Sequence, residues 1–229
     1  MTEKQVISRK RVEDHGEVYT RKREVDSMLD LVKQETERIE SRFLEPACGT
    51  GNFLAEVLMR KLHVVESRYK RSQLEFERNA VLAVSSIYGI DILHDNVSEC
   101  RERLFGLFDE VYTRLYKADA KNECRNAAEY ILEQNIIHGD ALTLKTVGEN
   151  PQPIIFSEWS PVNGSMLKRR DFTFSELLNY GKERKQLTFL NESDKLTMFS
   201  DLGENVFIPE PVKEFPLIHF LKIVDVDRS

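Results

Sequence analysis

The stretch Phe43-Leu-Glu-Pro-Ala-Cys-Gly-Thr-Gly-Asn-Phe-Leu54 limits what this chain can fold into more than any other. Two apolar residues run into Glu45 and Pro46, two glycines follow one residue apart, and the next residues suit a helix start. A strand, a tight turn and a helix in that order form the ligand loop of an open α/β sheet. Gly49 and Gly51 supply the positive φ and the close backbone approach that such a turn needs.

The remaining chain reads as strands and helices around this loop. Val25, Met28, Leu29, Val32 and Ile39 predict one amphipathic helix before it, and Phe53, Leu54, Val57, Leu58 and Leu62 the buried stripe of one after it. The charged run 64–85 predicts a second, more exposed helix. Residues 86–91 and 135–140 read as strands ending on an acid, with amphipathic helices over 93–117 and 123–134 between them. Pro153-Ile-Ile-Phe156 is a short strand candidate. Strands alternating with helices imply a parallel sheet. Beyond residue 157 the chain turns polar and periodicity fades, which predicts an irregular extension with a candidate terminal strand over 217–224. Residues 1–15, charged and aperiodic, read as a flexible arm.

With 229 residues, 41% of them hydrophobic, the chain can bury a real core. A formal net charge of −6 argues against a large autonomous DNA-gripping surface, though not against a local basic groove. Three cysteines, Cys48, Cys100 and Cys124, form no CxxC pair, so neither zinc nor a disulfide framework is expected. No apolar leader or membrane span is read, which predicts a cytoplasmic, soluble protein.

Glu45, Asp91 and Asp140 each close a strand. Any one of them alone is an ordinary cap. Three in order behind a Gly-x-Gly turn line one crevice, and carboxylates there accept hydrogen bonds from ribose hydroxyls or an exocyclic amine. The NAD fingerprint fails: position 54 is Leu rather than Gly, and Asp91 lies 40 residues after Gly51, about twice the usual spacing. No Gly-Lys-Ser/Thr follows the loop, so it is not a P-loop.

The segment Glu45-Pro-Ala-Cys-Gly-Thr-Gly-Asn-Phe53 resembles the S-adenosylmethionine loop of DNA adenine methyltransferases. Gly16-Glu-Val-Tyr-Thr20, with Met28-Leu-Asp30 after it, looks like that family's N-terminal cofactor motif. Tyr88-Gly-Ile-Asp91 resembles the ribose-binding motif and His138-Gly-Asp-Ala141 the adenine-binding motif. The order is that of gamma-type enzymes and of the modification parts of type I and type IIG restriction systems, over residues 14–145. The resemblance implies an α/β, Rossmann-like parallel sheet of the class I methyltransferase type over 16–156, incomplete on its C-terminal side, between the arm at 1–15 and the extension at 157–229. It implies S-adenosylmethionine as cofactor. Glu45 and the Gly49–Gly51 backbone would hold the methionine end, touched also by Thr20. Asp91 would take the ribose hydroxyls and Asp140 the adenine amine, with Phe53 and Ile92 as apolar walls. Pro46, Ala47, Cys48 and Ala141 complete the implied set, Cys48 as a packing residue rather than a nucleophile. Arg21 departs from the family's proline after the threonine.

The family's catalytic Asn/Asp/Ser-Pro-Pro-Tyr/Phe motif is missing, since the chain contains no Pro-Pro. That motif holds a base flipped out of the duplex. The nearest string, Trp159-Ser-Pro-Val162, lacks the second proline and the stacking aromatic. Lys168-Arg-Arg170, with Phe172 and Phe174 nearby, is the best nucleic-acid candidate, a solvated or partner-facing surface being the plainer reading. No catalytic residue is assigned. The implied function is the cofactor-binding subunit of a site-specific DNA adenine-N6 methyltransferase of a restriction-modification or phage-defence system. A partner subunit would carry the catalytic motif and target recognition, and double-stranded DNA would be reached mainly through it. The alternatives are a non-catalytic S-adenosylmethionine-binding regulator or scaffold and, less favoured, a small-molecule or protein methyltransferase.

Overall fold

In the computed structural model, residues 20–179 and 210–228 are described, and they form a mixed α/β fold on a mostly parallel four-stranded sheet. Before the loop, Lys22–Asp30 (α1) and Lys33–Thr36 (α2) replace the single helix expected over 25–39. Val25, Leu29 and Ile39 are buried, whereas Met28 and Val32 are exposed. The stripe is split because the helix breaks at Val32, whose φ of −120° is not helical. Residues 16–19 of the N-terminal motif lie outside the described residues.

Phe43–Glu45 (β1) leads through the glycine loop into Asn52–Tyr69 (α3), Gln73–Ser85 (α4) and Ile87–Asp91 (β2). His94–Tyr116 (α5), Asn122–Asn135 (α6) and Ile136–Asp140 (β3) follow. The Ser72 hydroxyl accepts from the Glu75 N–H and starts α4. Contrary to expectation, α4 is a core helix: Phe76, Ala80, Val81 and Val84 are buried. Its charge misled the reading because Glu77, itself fully buried, is paired with Lys121 at 2.9 Å and accepts the Tyr112 hydroxyl at 2.6 Å.

The strands stand in chain order, β1-β2-β3, all parallel, and Lys145–Thr146 (β4) adds antiparallel to β3. Alternation along β2 sends Ile87 and Gly89 toward the helices and Tyr88 and Ile90 to the opposite face. A β-hairpin covers that opposite face. It is made of Ile155–Asn163 (β5) and Met166–Thr173 (β6), joined by Lys213–Glu214 (β7) and Ile218–His219 (β8) in a second, antiparallel sheet. Phe156 packs edge-on against Tyr88 at 5.4 Å and Phe174 at 5.5 Å. The hairpin's other side, with Trp159 and Leu167, joins the helical core, as does the 3-10 helix Phe220–Arg228.

Several expectations for the C-terminal part are thereby corrected. The strand begun near Pro153 does not extend the parallel sheet, and residues 157–173 are regular rather than irregular. β5 runs straight through position 156, where the domain boundary was drawn. Residues 217–224 hold only the two-residue β8 before the 3-10 helix. Trp159-Ser-Pro-Val162 lies inside β5, with Trp159 4% exposed. Arg169 is equally buried, with ion pairs to Asp171 at 2.8 Å and Asp227 at 3.0 Å and its guanidinium over Phe215. Lys168 pairs with Glu214 and Arg170 with Glu158, so this triplet does not present the free basic surface expected of a nucleic-acid site. Among the described residues, no helix is long and apolar enough to cross a membrane.

Lys61 of α3 is fully buried. Its ammonium donates to the carbonyls of Ile39 (3.2 Å) and Ser41 and to the Ser86 hydroxyl (2.5 Å), and it lies 5.1 Å from the centre of the Phe43 ring. One side chain thus ties the approach to β1 to the start of β2.

Candidate functional site

The C-terminal ends of β1, β2 and β3 open into one cavity of about 650 Å³. Its floor is the glycine loop. The Cys48 N–H donates to the Ile90 carbonyl at 2.9 Å and continues the β1–β2 ladder past Glu45. Gly49 and Gly51 take φ of 51° and 84°. Gly51 caps α3, its carbonyl accepting from the Ala55 N–H at 2.8 Å. A Cβ on Gly51 would stand 2.6 Å from the Cys100 sulfur. Gly51→Ala therefore combines a left-handed alanine with a steric overlap and is expected to lower unfolding free energy by about 2–4 kcal/mol. Urea denaturation checks it, and adding Cys100→Ala should restore the steric share alone.

Asp91 is the brace of the site. It is 8% exposed. Its Oδ2 accepts from the Gly49 N–H at 2.8 Å, and its Oδ1 accepts from the Leu93 N–H at 2.9 Å and from the Asn96 amide at 3.1 Å. Of roughly four acceptor positions on a carboxylate, three are committed to the protein. The acid expected to take two ribose hydroxyls is mainly a clasp between loop and strand end, with room for one further donor.

The other acids behave differently. Burial raises the Glu45 carboxyl above its usual range, opposed only by the Ala47 N–H. Among the described residues Glu45 has no ion-pair partner, so it is a half-buried carboxylate suited to a ligand cation. Asp140 is held below its usual range, chiefly by the Leu142 N–H at 2.8 Å. Cys48 is buried, and the adjacent Cys100 thiol together with burial pushes its own thiol far up. It is not a thiolate nucleophile at neutral pH.

Thr20, Glu45, Pro46, Ala47, Cys48, Gly49, Phe53, Asp91, Ile92, Asp140 and Ala141 all line the cavity; Gly51 stands behind the loop. Arg21 takes φ −66°, a value that a proline would also adopt. Met28, part of the N-terminal motif, also lines the cavity, as do Asn52, Asn96 and Leu142, to which sequence reasoning gave no role. Asn96 was findable from its place in the first turn of α5, five residues beyond Asp91. His138, read only as the start of a motif, has a role of its own. Its Nε2 is 3.0 Å from the Ile92 carbonyl, which can only accept, so this nitrogen carries the proton. That bond sets the turn presenting Ile92 to the cavity.

No protein-family model matches the chain, and comparison with curated proteins and with solved structures finds no match either.

Proposed function

We propose that this chain is the S-adenosylmethionine-binding part of a site-specific DNA adenine-N6 methyltransferase, completed by a partner subunit. One observation supports the reading: the glycine loop, Asp91 and Asp140 of three segments that resemble cofactor motifs, together with Thr20 and Met28 of a fourth, line a single cavity. Their chemistry suits the ligand. Glu45 offers a half-buried carboxylate to the ammonium or sulfonium, Asp91 one free acceptor position to a ribose hydroxyl, and Asp140 an acceptor to the adenine amine. Phe53, Ile92 and Leu142 offer apolar surface. The groups that must hold a flipped base have no counterpart: there is no Pro-Pro in the sequence, and Trp159-Ser-Pro-Val162 is built into the hairpin. A partner of a restriction-modification or phage-defence system would supply that motif and the reading of duplex DNA.

The test is methyl transfer from labelled S-adenosylmethionine to DNA, by this chain alone and with the polypeptide encoded by the neighbouring reading frame. Label on adenine only in the mixture supports the proposal. Cofactor binding without transfer in either case favours a non-catalytic S-adenosylmethionine-binding regulator.

Glu45 adds a pH signature. A cation binds the ionised carboxylate, whose pKa is raised in the free protein. Affinity should therefore fall as pH drops through that raised value, and binding should release a proton there. Calorimetry in two buffers of different ionisation enthalpy measures it. Glu45→Gln should remove the pH dependence and weaken binding about tenfold, the loss of one charge-assisted hydrogen bond.

A further inference from the structure

The glycine loop offers opposite electrostatics at its two ends. Before it stands the half-buried Glu45 carboxylate. After it begins α3, 18 residues long, with its N-terminus at the cavity. Among the described residues the N–H groups of Asn52 and Phe53 have no acceptor, and a helix start of this kind favours an anion. The cavity lining contains Glu45, Asp91 and Asp140 but, among the described residues, no lysine, arginine or histidine. An anionic group on the ligand therefore has to be met by neutral donors, away from the three acids.

Two such donors stand at the start of α3. Thr50 is 4% exposed and lines the cavity, and among the described residues its hydroxyl has no hydrogen-bond partner. Asn52, the first residue of α3, lines the cavity too. Its Oδ1 accepts from Nη1 of Arg103, which lies 51 residues away on α5. A guanidinium can only donate, so the amide is oriented: its oxygen faces Arg103, and Nδ2 is left with two hydrogens. Among the described residues Nδ2 meets no acceptor. Arg103 is itself set by Glu99, one turn earlier on α5, at 3.0 Å. An amide whose oxygen is bound to a cation is polarised, and its N–H groups donate more strongly. Arg103 does not line the cavity, so its charge reaches a ligand through Asn52.

We infer that Asn52, oriented and polarised by Arg103, donates to the carboxylate of the ligand's amino-acid end, with the Thr50 hydroxyl and the first N–H groups of α3 beside it. This rests on the S-adenosylmethionine reading above. With Glu45 on the ammonium and Asn52 on the carboxylate, the zwitterion lies along the loop in one direction. Asn52 touches the ligand; Arg103 is a positioning residue that acts through it. Together they make the site selective for a nucleoside that carries an amino acid over the bare nucleoside.

Calorimetry on the full chain with two ligands tests this. S-adenosylhomocysteine keeps the amino-acid end, and 5′-methylthioadenosine lacks it. The wild type should bind the first at least about tenfold more tightly. Asn52→Asp keeps a partner for Arg103 but replaces the ligand-facing N–H groups by a carboxylate. It should lose at least about tenfold for S-adenosylhomocysteine and change less than about twofold for 5′-methylthioadenosine. Arg103→Ala should lose about threefold, again on the first ligand alone, and Arg103→Lys should recover most of it by restoring the charge. Equal losses on both ligands reveal a purely structural tie and overturn the inference. Wild-type preference retained in either Asn52→Asp or Arg103→Ala overturns it as well, and both results leave the S-adenosylmethionine reading standing. A wild type that binds the two ligands equally overturns the inference. A wild type that binds neither overturns that reading and the inference together.

Discussion

Asp91→Ala is expected to weaken S-adenosylmethionine binding by about 3 kcal/mol, roughly 100-fold. The effect exceeds that of one lost ligand contact because the carboxylate's first task lies within the protein. Without it, the Gly49 N–H, the Leu93 N–H and the Asn96 amide lose their acceptor together, and buried donors without partners are costly. The loop should loosen before any ligand arrives. Amide exchange at Gly49 in the ligand-free variant should therefore rise, and calorimetry should show the lost affinity. Asp91→Asn should follow the same course, since one of its two positions becomes a donor facing a donor. Asp140 is more exposed and braces only its own turn, so Asp140→Ala should cost less and leave Gly49 exchange unchanged. Unchanged affinity in Asp91→Ala would sink the clasp.

The second large effect concerns Lys61 and stability. Burial lowers its ammonium from 10.5 to about 7, with Glu40 and Glu35 acting in the opposite sense. Between those two values the unfolded chain holds a proton that the folded chain has released. Unfolding free energy therefore rises with pH across that window, by about 1 kcal/mol per pH unit. Below about 7 both states carry the proton and the cost of the buried charge is constant. In Lys61→Met this contribution to the slope should vanish. The difference between the two proteins in urea melts from pH 7 to 10 isolates it from every other titrating group, and parallel slopes would contradict it.

These two residues also show what the sequence could and could not reveal. The strands ending at Glu45, Asp91 and Asp140 were legible because each begins with a short apolar run and stops at an acid, although only β2 is buried throughout. The partners of Asp91 were not, because Gly49 lies 42 residues away and hydrogen bonding at that distance leaves no local pattern. Lys61 and Glu77 hid two core positions behind charge. The hairpin was invisible for the same reason. Its inward face carries Ser157, Arg169 and Asp171, which satisfy one another at 2.8–3.1 Å. A strand whose buried side is an ionic cluster reads as polar, so the alternation that marks a half-buried strand was masked. Trp159 and Phe156, 4% and 2% exposed, are the apolar anchors of the hairpin.

The order of the parallel sheet has a consequence for how the chain is made. β1, β2, β3 and β4 stand side by side in the order in which they are synthesised. Each new strand meets the exposed rim of the one before it, and none has to be threaded between two already paired. Each crossover nevertheless closes a long span, Phe43 pairing with Ile87 and Gly89 with Ile136, and such non-local parallel pairing is intrinsically slow, so assembly is orderly rather than fast. The rim at β1 is the first to exist.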